Sequence, residues 1–186
     1  MKKKSFIRCL IIFLSGILIG CTNMNIYREK WQPIENLALN WDKVRVGDII
    51  VKNKTMRPLE WYGHIGVVVS PYMVADYPHP LTGYNEYLYR NWLNERREVI
   101  VLRLTDFNEE FKKEFIQNVE KLKNQRYLVT LNKNSTDVTY CSKYVWYLFK
   151  KTGESFHLDL DLDVDGGPLV FPYDFLIHPE LEVVEF

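Results

Sequence analysis

The chain has 186 residues, 47% of them hydrophobic and 15% aromatic, with 24 basic and 24 acidic side chains. That length bounds it to a single domain with a sizeable core. Four of the bases, Lys2, Lys3, Lys4 and Arg8, fall in the first 20 residues, so 20 bases face 24 acids in the rest; a mildly acidic chain without a basic stripe excludes nucleic acid as a partner.

Lys2 to Lys4 followed by an apolar run from Phe6 to Ile19 reads as a signal peptide, since the run is short for a membrane-spanning helix. It ends in Leu18-Ile19-Gly20-Cys21, followed by the polar pair Thr22-Asn23. This resembles the lipobox of bacterial lipoproteins. The resemblance implies that residues 1–20 are removed, that Cys21 is acylated, and that the chain is held at a membrane of the cell envelope, outside the cytoplasm, by lipid alone. A plain N-terminal membrane anchor is the alternative. Residues 21–40 read as a tether and 41–186 as the domain. With Cys9 discarded and Cys21 acylated, Cys141 is the one thiol left, either a reactive group or a buried structural one.

Within the domain, Gly47-Asp48 marks a turn before a short strand, Asp48 to Val51. Residues 53–60 form a loop. Trp61 to Val69 contains an unbroken Val run that predicts a strand buried on both faces. Ser70-Pro71 turns the chain into another short strand, Tyr72 to Tyr77, and a loop follows from Pro78. The segment Tyr84 to Trp92 has no readable period. Glu98 to Leu104 is the next strand. Phe107, Phe111, Phe115, Val119 and Leu122 then form one stripe of a helix, with Asp106 as its expected cap and Glu109 completing a capping box. Residues 124–138 read as a polar connection.

The stretch Thr139 to Phe149 carries Cys141, Tyr144, Val145, Leu148 and Phe149 at helical spacing. Thr139 is the expected cap, and Lys150, Lys151 and Gly153 close the helix. Cys141 then sits in the first turn, where free N–H groups and the helix dipole favour an anion. Residues 155–165 alternate apolar and Asp positions, a strand with a solvated acidic face by pattern. Asp161, Asp163, Asp165 and Gly166 also match the opening of a calcium-binding EF-hand loop, but the twelfth position is Pro172 where a Glu is needed, so no metal site is assigned. A last strand is expected over Leu181 to Phe186. Strands dominate with two clear helices, which makes the class α+β.

A thiol nucleophile needs a base, and the chain offers His64, His79, His157 and His178. His64 enters a strand between Gly63 and Gly66, a rigid mount whose small neighbours leave room for a substrate. Asp76, one strand later, can orient the imidazole; Asp48 is a second candidate with a structural, turn-stabilising role as its alternative.

Four segments in order, Gly47-Asp48-Ile49-Ile50, Gly63-His64-Ile65-Gly66-Val67-Val68, Tyr140-Cys141-Ser142-Lys143-Tyr144-Val145 and Pro172-Tyr173-Asp174-Phe175-Leu176, resemble the YiiX/YebB-like group. These are circularly permuted relatives of the NlpC-type papain-like cysteine hydrolases, in which the His strand precedes the Cys helix. The resemblance runs from about Val44 onward. It implies a permuted papain-like fold, an antiparallel sheet or small barrel packed on the Cys-bearing helix. It implies Cys141 as nucleophile, His64 as base and an acid at or near Asp76, where the family more often has Glu. Lys143 stands where the family often has an acid, and as a cation it would favour the thiolate. Tyr140 precedes the nucleophile as in the family and either lines the substrate site or packs. No cofactor is implied. The expected function is an envelope-associated amidase or peptidase working by acyl transfer, with peptidoglycan peptides as candidate substrates. A lipid-directed acyl hydrolase or acyltransferase and a non-catalytic ligand-binding lipoprotein are the alternatives.

Overall fold

The computed structural model describes residues 28–56 and 60–186. The expected signal peptide, the expected lipidation site Cys21 and the first part of the expected tether, residues 21–27, lie outside those residues. Among the described residues, nine strands and four α-helices follow in order: β1 (Gln32–Pro33), α1 (Ile34–Leu39), β2 (Ile49–Lys52), β3 (His64–Ser70), β4 (Met73–His79), β5 (Gly83–Leu88), α2 (Tyr89–Trp92), β6 (Glu98–Leu104), α3 (Glu109–Leu122), β7 (Arg126–Tyr127), β8 (Val138–Thr139), α4 (Cys141–Glu154) and β9 (Leu181–Val183). The main sheet is antiparallel throughout, in the order β1-β6-β2-β3-β4-β5, with β9 also on β6. β7 and β8 form a separate parallel pair. The class is α+β, as expected.

Both faces of the main sheet are covered, which is why its central strands read as continuous apolar runs. Odd positions of β2 and β3 (Ile49, Val51, Ile65, Val67, Val69) join Ile100 and Leu102 of β6 in a core shared with α3 and α4. Even positions (Ile50, Val68) join Val74, Val99 and Val101 in a second core with Ile34, Leu37, Trp41 and Trp92. Side chains alternate across a strand, so two helical layers are needed to bury them. Full burial of each Val, Ile or Leu contributes about 1.5–3 kcal/mol.

The second core corrects the expected tether over 21–40. Ile34 and Leu37 are fully buried, the backbone N–H of Ile34 donates to Arg97 O, and β1 pairs with β6, so the folded unit includes at least residues 32–40. The helix over 109–122 has its stripe where expected, but Asn108 caps it, accepting from Phe111 N at 2.8 Å, and Asp106 does not. Residues 155–165 form no strand: Leu160 and Leu162 are buried, whereas Leu158 and Val164 are exposed. The unread segment before Trp92 is β5 and the single-turn α2, fixed by Trp41, which stacks on Tyr89 at 4.2 Å and donates its indole N–H to Pro71 O.

α4 ends as a Schellman motif. Leu158 N donates to Gly153 O and His157 N to Glu154 O, and His157 takes the left-handed conformation (φ 59°) usually held by Gly. Gly153 lies inside the helix, where a Cβ would meet Leu158 O at 2.9 Å.

Candidate active site

Three separate parts of the fold converge at the start of β3. His64 opens that strand, Asp76 sits in β4, and Cys141 is the first residue of α4. β3 and β4 pair with Val67 opposite Ala75 and Val68 opposite Val74. Continuing that register brings Asp76 level with Gly66, so its carboxylate reaches the diagonal neighbour His64. His64 Nε2 lies 2.7 Å from Asp76 Oδ2. The Cys141 thiol is near enough to act on the same imidazole.

The charges are arranged to keep His64 protonated. Burial works against the imidazolium, but the hydrogen bonds to Asp76 and Cys141 and their negative charges outweigh it and raise the group to about 9. Asp76 is buried, and the indole N–H of Trp92 donates to the same Oδ2 at 2.6 Å. Its Oδ1 is buried with no hydrogen-bond partner. Trp92 is held in turn by Lys52, whose ammonium lies 3.6 Å from the ring centroid, donates to Trp92 O at 2.6 Å and pairs with Glu95.

The two glycines around His64 act differently from the expectation that they admit a substrate. A Cβ at Gly66 would stand 2.8 Å from Trp92 Cζ2, so the missing side chain is the space the indole fills. Gly63 has φ +78°, and a Cβ there would meet Lys52 O at 2.8 Å. Sequence reasoning missed Trp92, because only the packed structure brings α2 over β4.

α4 begins without a side-chain cap. Thr139, the expected cap, is buried in β8, and Tyr140 takes the N-cap position with no side-chain hydrogen bond. The first N–H groups of the helix, beside the thiol, are therefore not claimed by a cap. Tyr140 braces the loop that follows: it is buried and its hydroxyl accepts from Val170 N at 2.9 Å. Ser142 Oγ donates to Val170 O at 2.7 Å, tying the same loop to the helix start. Lys143 is fully buried and donates to Ser135 O at 2.7 Å and to Val138 O, so it holds the preceding loop and does not serve the thiol. Burial lowers its pKa.

The electrostatic influence of Cys141 reaches Tyr62 and Tyr127, neither of which the sequence singled out. Burial and then the charge of Cys141 raise both, Tyr127 to about 12. Tyr127 also lines a groove of about 420 Å³ with Leu81, Gln125, Leu128 and Val138.

The remaining candidates have other partners. Asp48 receives Arg103 on both oxygens, at 2.8 and 2.7 Å, and Arg45 N at 2.8 Å, the structural alternative. Burial nonetheless pushes its pKa up. His79 and His178 are accepting ends of local turns, bonded by Leu81 N and Glu180 N. His157 closes α4. Among the described residues, one group could hold a metal ion: Asp163, Asp165 and Asp174, with an oxygen from each within 4.8 Å of the others. Asp161, the first position of the expected loop match, is turned away to Trp146 Nε1 (2.7 Å) and Lys150.

No family model matches this sequence, and no curated protein matches it. Among solved structures it is similar to one described as metalloprotein yiiX from Escherichia coli O157:H7, DUF1105, with a TM-score of 0.57 and 16% identity over 77% of this chain and 97% of that one. The chain is YiiX-like in fold.

Proposed function

We propose that this chain is an envelope-associated cysteine hydrolase of the amidase or peptidase type, on a circularly permuted papain-like arrangement, with Cys141 as nucleophile, His64 as acid–base and Asp76 as the residue that orients the imidazole. The observation that carries the reading is the His64–Asp76 pair, Nε2 to Oδ2 at 2.7 Å, and the Cys141 thiol supports it by helping to raise the imidazole's proton affinity. The order of parts, His strand before Cys helix, and the likeness in fold to yiiX support it.

In the reaction, the Cys141 sulfur attacks a carbonyl carbon and a C–S bond forms. The uncapped N–H groups at the start of α4 receive the developing oxyanion. His64, protonated at neutral pH, gives its proton to the leaving nitrogen or oxygen as that bond breaks. Water then attacks the thioester, His64 takes its proton, and the C–S bond breaks to release the acid. Acylation of Cys21 would keep this chemistry at a membrane surface. Among the described residues no helix is long and apolar enough to cross a membrane.

One observation favours the lipid-directed alternative. Tyr127 both feels the thiol's charge and lines a groove with the exposed Leu81 and Leu128, a wall suited to an acyl chain.

The pair is tested by alkylation: at pH 6, iodoacetamide is expected to modify Cys141 about tenfold or more faster in the wild type than in His64→Ala. Equal rates would remove His64 from the mechanism. Full-length protein in detergent is then given muropeptides and short-chain acyl esters. Amide cleavage supports the first reading, and ester cleavage alone supports the second. Both activities should vanish in Cys141→Ala.

A further inference from the structure

The loop from residue 159 to 174 gathers carboxylates that the proposed acyl transfer does not use. Asp163 is 5% exposed; its Oδ2 is paired with Lys133, and its Oδ1 is buried with no hydrogen-bond partner. Its carboxyl meets that of Asp165, two acceptors facing each other. Asp174, also buried, accepts from Phe171 N at 2.5 Å, and exposed Asp165 accepts from Gly167 N at 3.1 Å.

We propose that Asp163, Asp165 and Asp174 bind a hard divalent cation of the calcium class, which closes the loop that braces the first turn of α4. Three carboxylates against one ammonium leave an excess of negative charge that a divalent ion offsets. The donors are all carboxylate oxygens, with no imidazole or thiol, a set that suits calcium over zinc or copper. An irregular loop fits calcium's flexible coordination better than magnesium's strict octahedron. The orphaned Oδ1 of Asp163 is the atom that most needs such a partner. The same loop carries Val170, which bonds both Tyr140 and Ser142 on either side of Cys141, so ion binding would stiffen the nucleophile's mount. The proposal does not depend on Cys141 being reactive.

Terbium luminescence tests it on the full-length protein in detergent. Trp146 is placed to sensitise the ion: Lys133 Nζ lies 5.3 Å from its ring centroid and Asp161 accepts from its N–H. Saturable Tb³⁺ emission, displaced by Ca²⁺, is expected, together with a rise in melting temperature on adding Ca²⁺. Asp165→Asn, at an exposed position where folding is not at risk, should weaken Tb³⁺ binding about tenfold or more. Emission that does not saturate in the wild type would overturn the proposal, and so would Asp165→Asn binding as tightly as wild type. Binding seen only in Lys133→Met would also overturn it, by showing that the ammonium already fills the site.

Discussion

At the scale of residues, the site is a chain of side chains, each setting the next: Lys52 on Trp92, Trp92 on Asp76, Asp76 on His64 and His64 on Cys141. His64 binds its proton up to about 9 when folded, against 6.5 ordinarily. A raised folded value stabilises the fold fully below pH 6.5, and that contribution is lost as pH rises through about 9. Its upper size is on the order of 3 kcal/mol. Urea unfolding should therefore show a midpoint that falls between those pH values, with a smaller fall in Asp76→Asn; an identical fall would show that the carboxylate does not hold the imidazolium. Trp92→Phe removes one donor from a carboxylate whose other oxygen is already unpartnered. It should cost about 1–3 kcal/mol of stability. It should also move the pH profile of Cys141 alkylation, which a change in packing alone would not do.

At the scale of elements, legibility followed locality. The α4 stripe, the β3 Val run and the spacing from His64 to Asp76 lie within short windows, and each predicted its element or partner. Caps were misread because Thr139 and Asp106 fit the local signature, while β8 pairing claims the first and Asn108 supplies the second helix start. Trp92, Tyr62 and Tyr127 carried no local signal, since each matters only through a neighbour far along the chain. The Asp alternation of 155–165 imitated a strand because Leu160 and Leu162 do point inward, yet Asp161 turns to Trp146 while Asp163 and Asp165 gather beside Asp174. His157 has a role set by backbone geometry: it closes α4. Its left-handed φ of 59° is strained for a side chain with a Cβ, so His157→Gly should stabilise the protein by about 0.5–1 kcal/mol, read as a shift in urea midpoint. No gain would mean that the imidazole offsets the strain.

At the scale of the whole molecule, one sheet separates two cores, and the site stands where β3 meets the start of α4. The segment expected to be a tether is the outer layer of the second core, so Leu37→Ala should cost about 2–5 kcal/mol. A loss near zero by chemical denaturation would return that segment to a linker. Ile34 and Leu37 share this core with Val184, whose N–H donates to Val101 O, and Lys30 pairs with Glu185. Segments some 150 positions apart along the chain thus close the same layer. During synthesis, residue 34 emerges long before the partner that covers it. Its apolar face stays open until almost the whole domain has been made, and such long-range closure is the kind of contact that slows folding. An unfinished chain accordingly carries exposed apolar surface, which gives a chaperone a long interval in which to act.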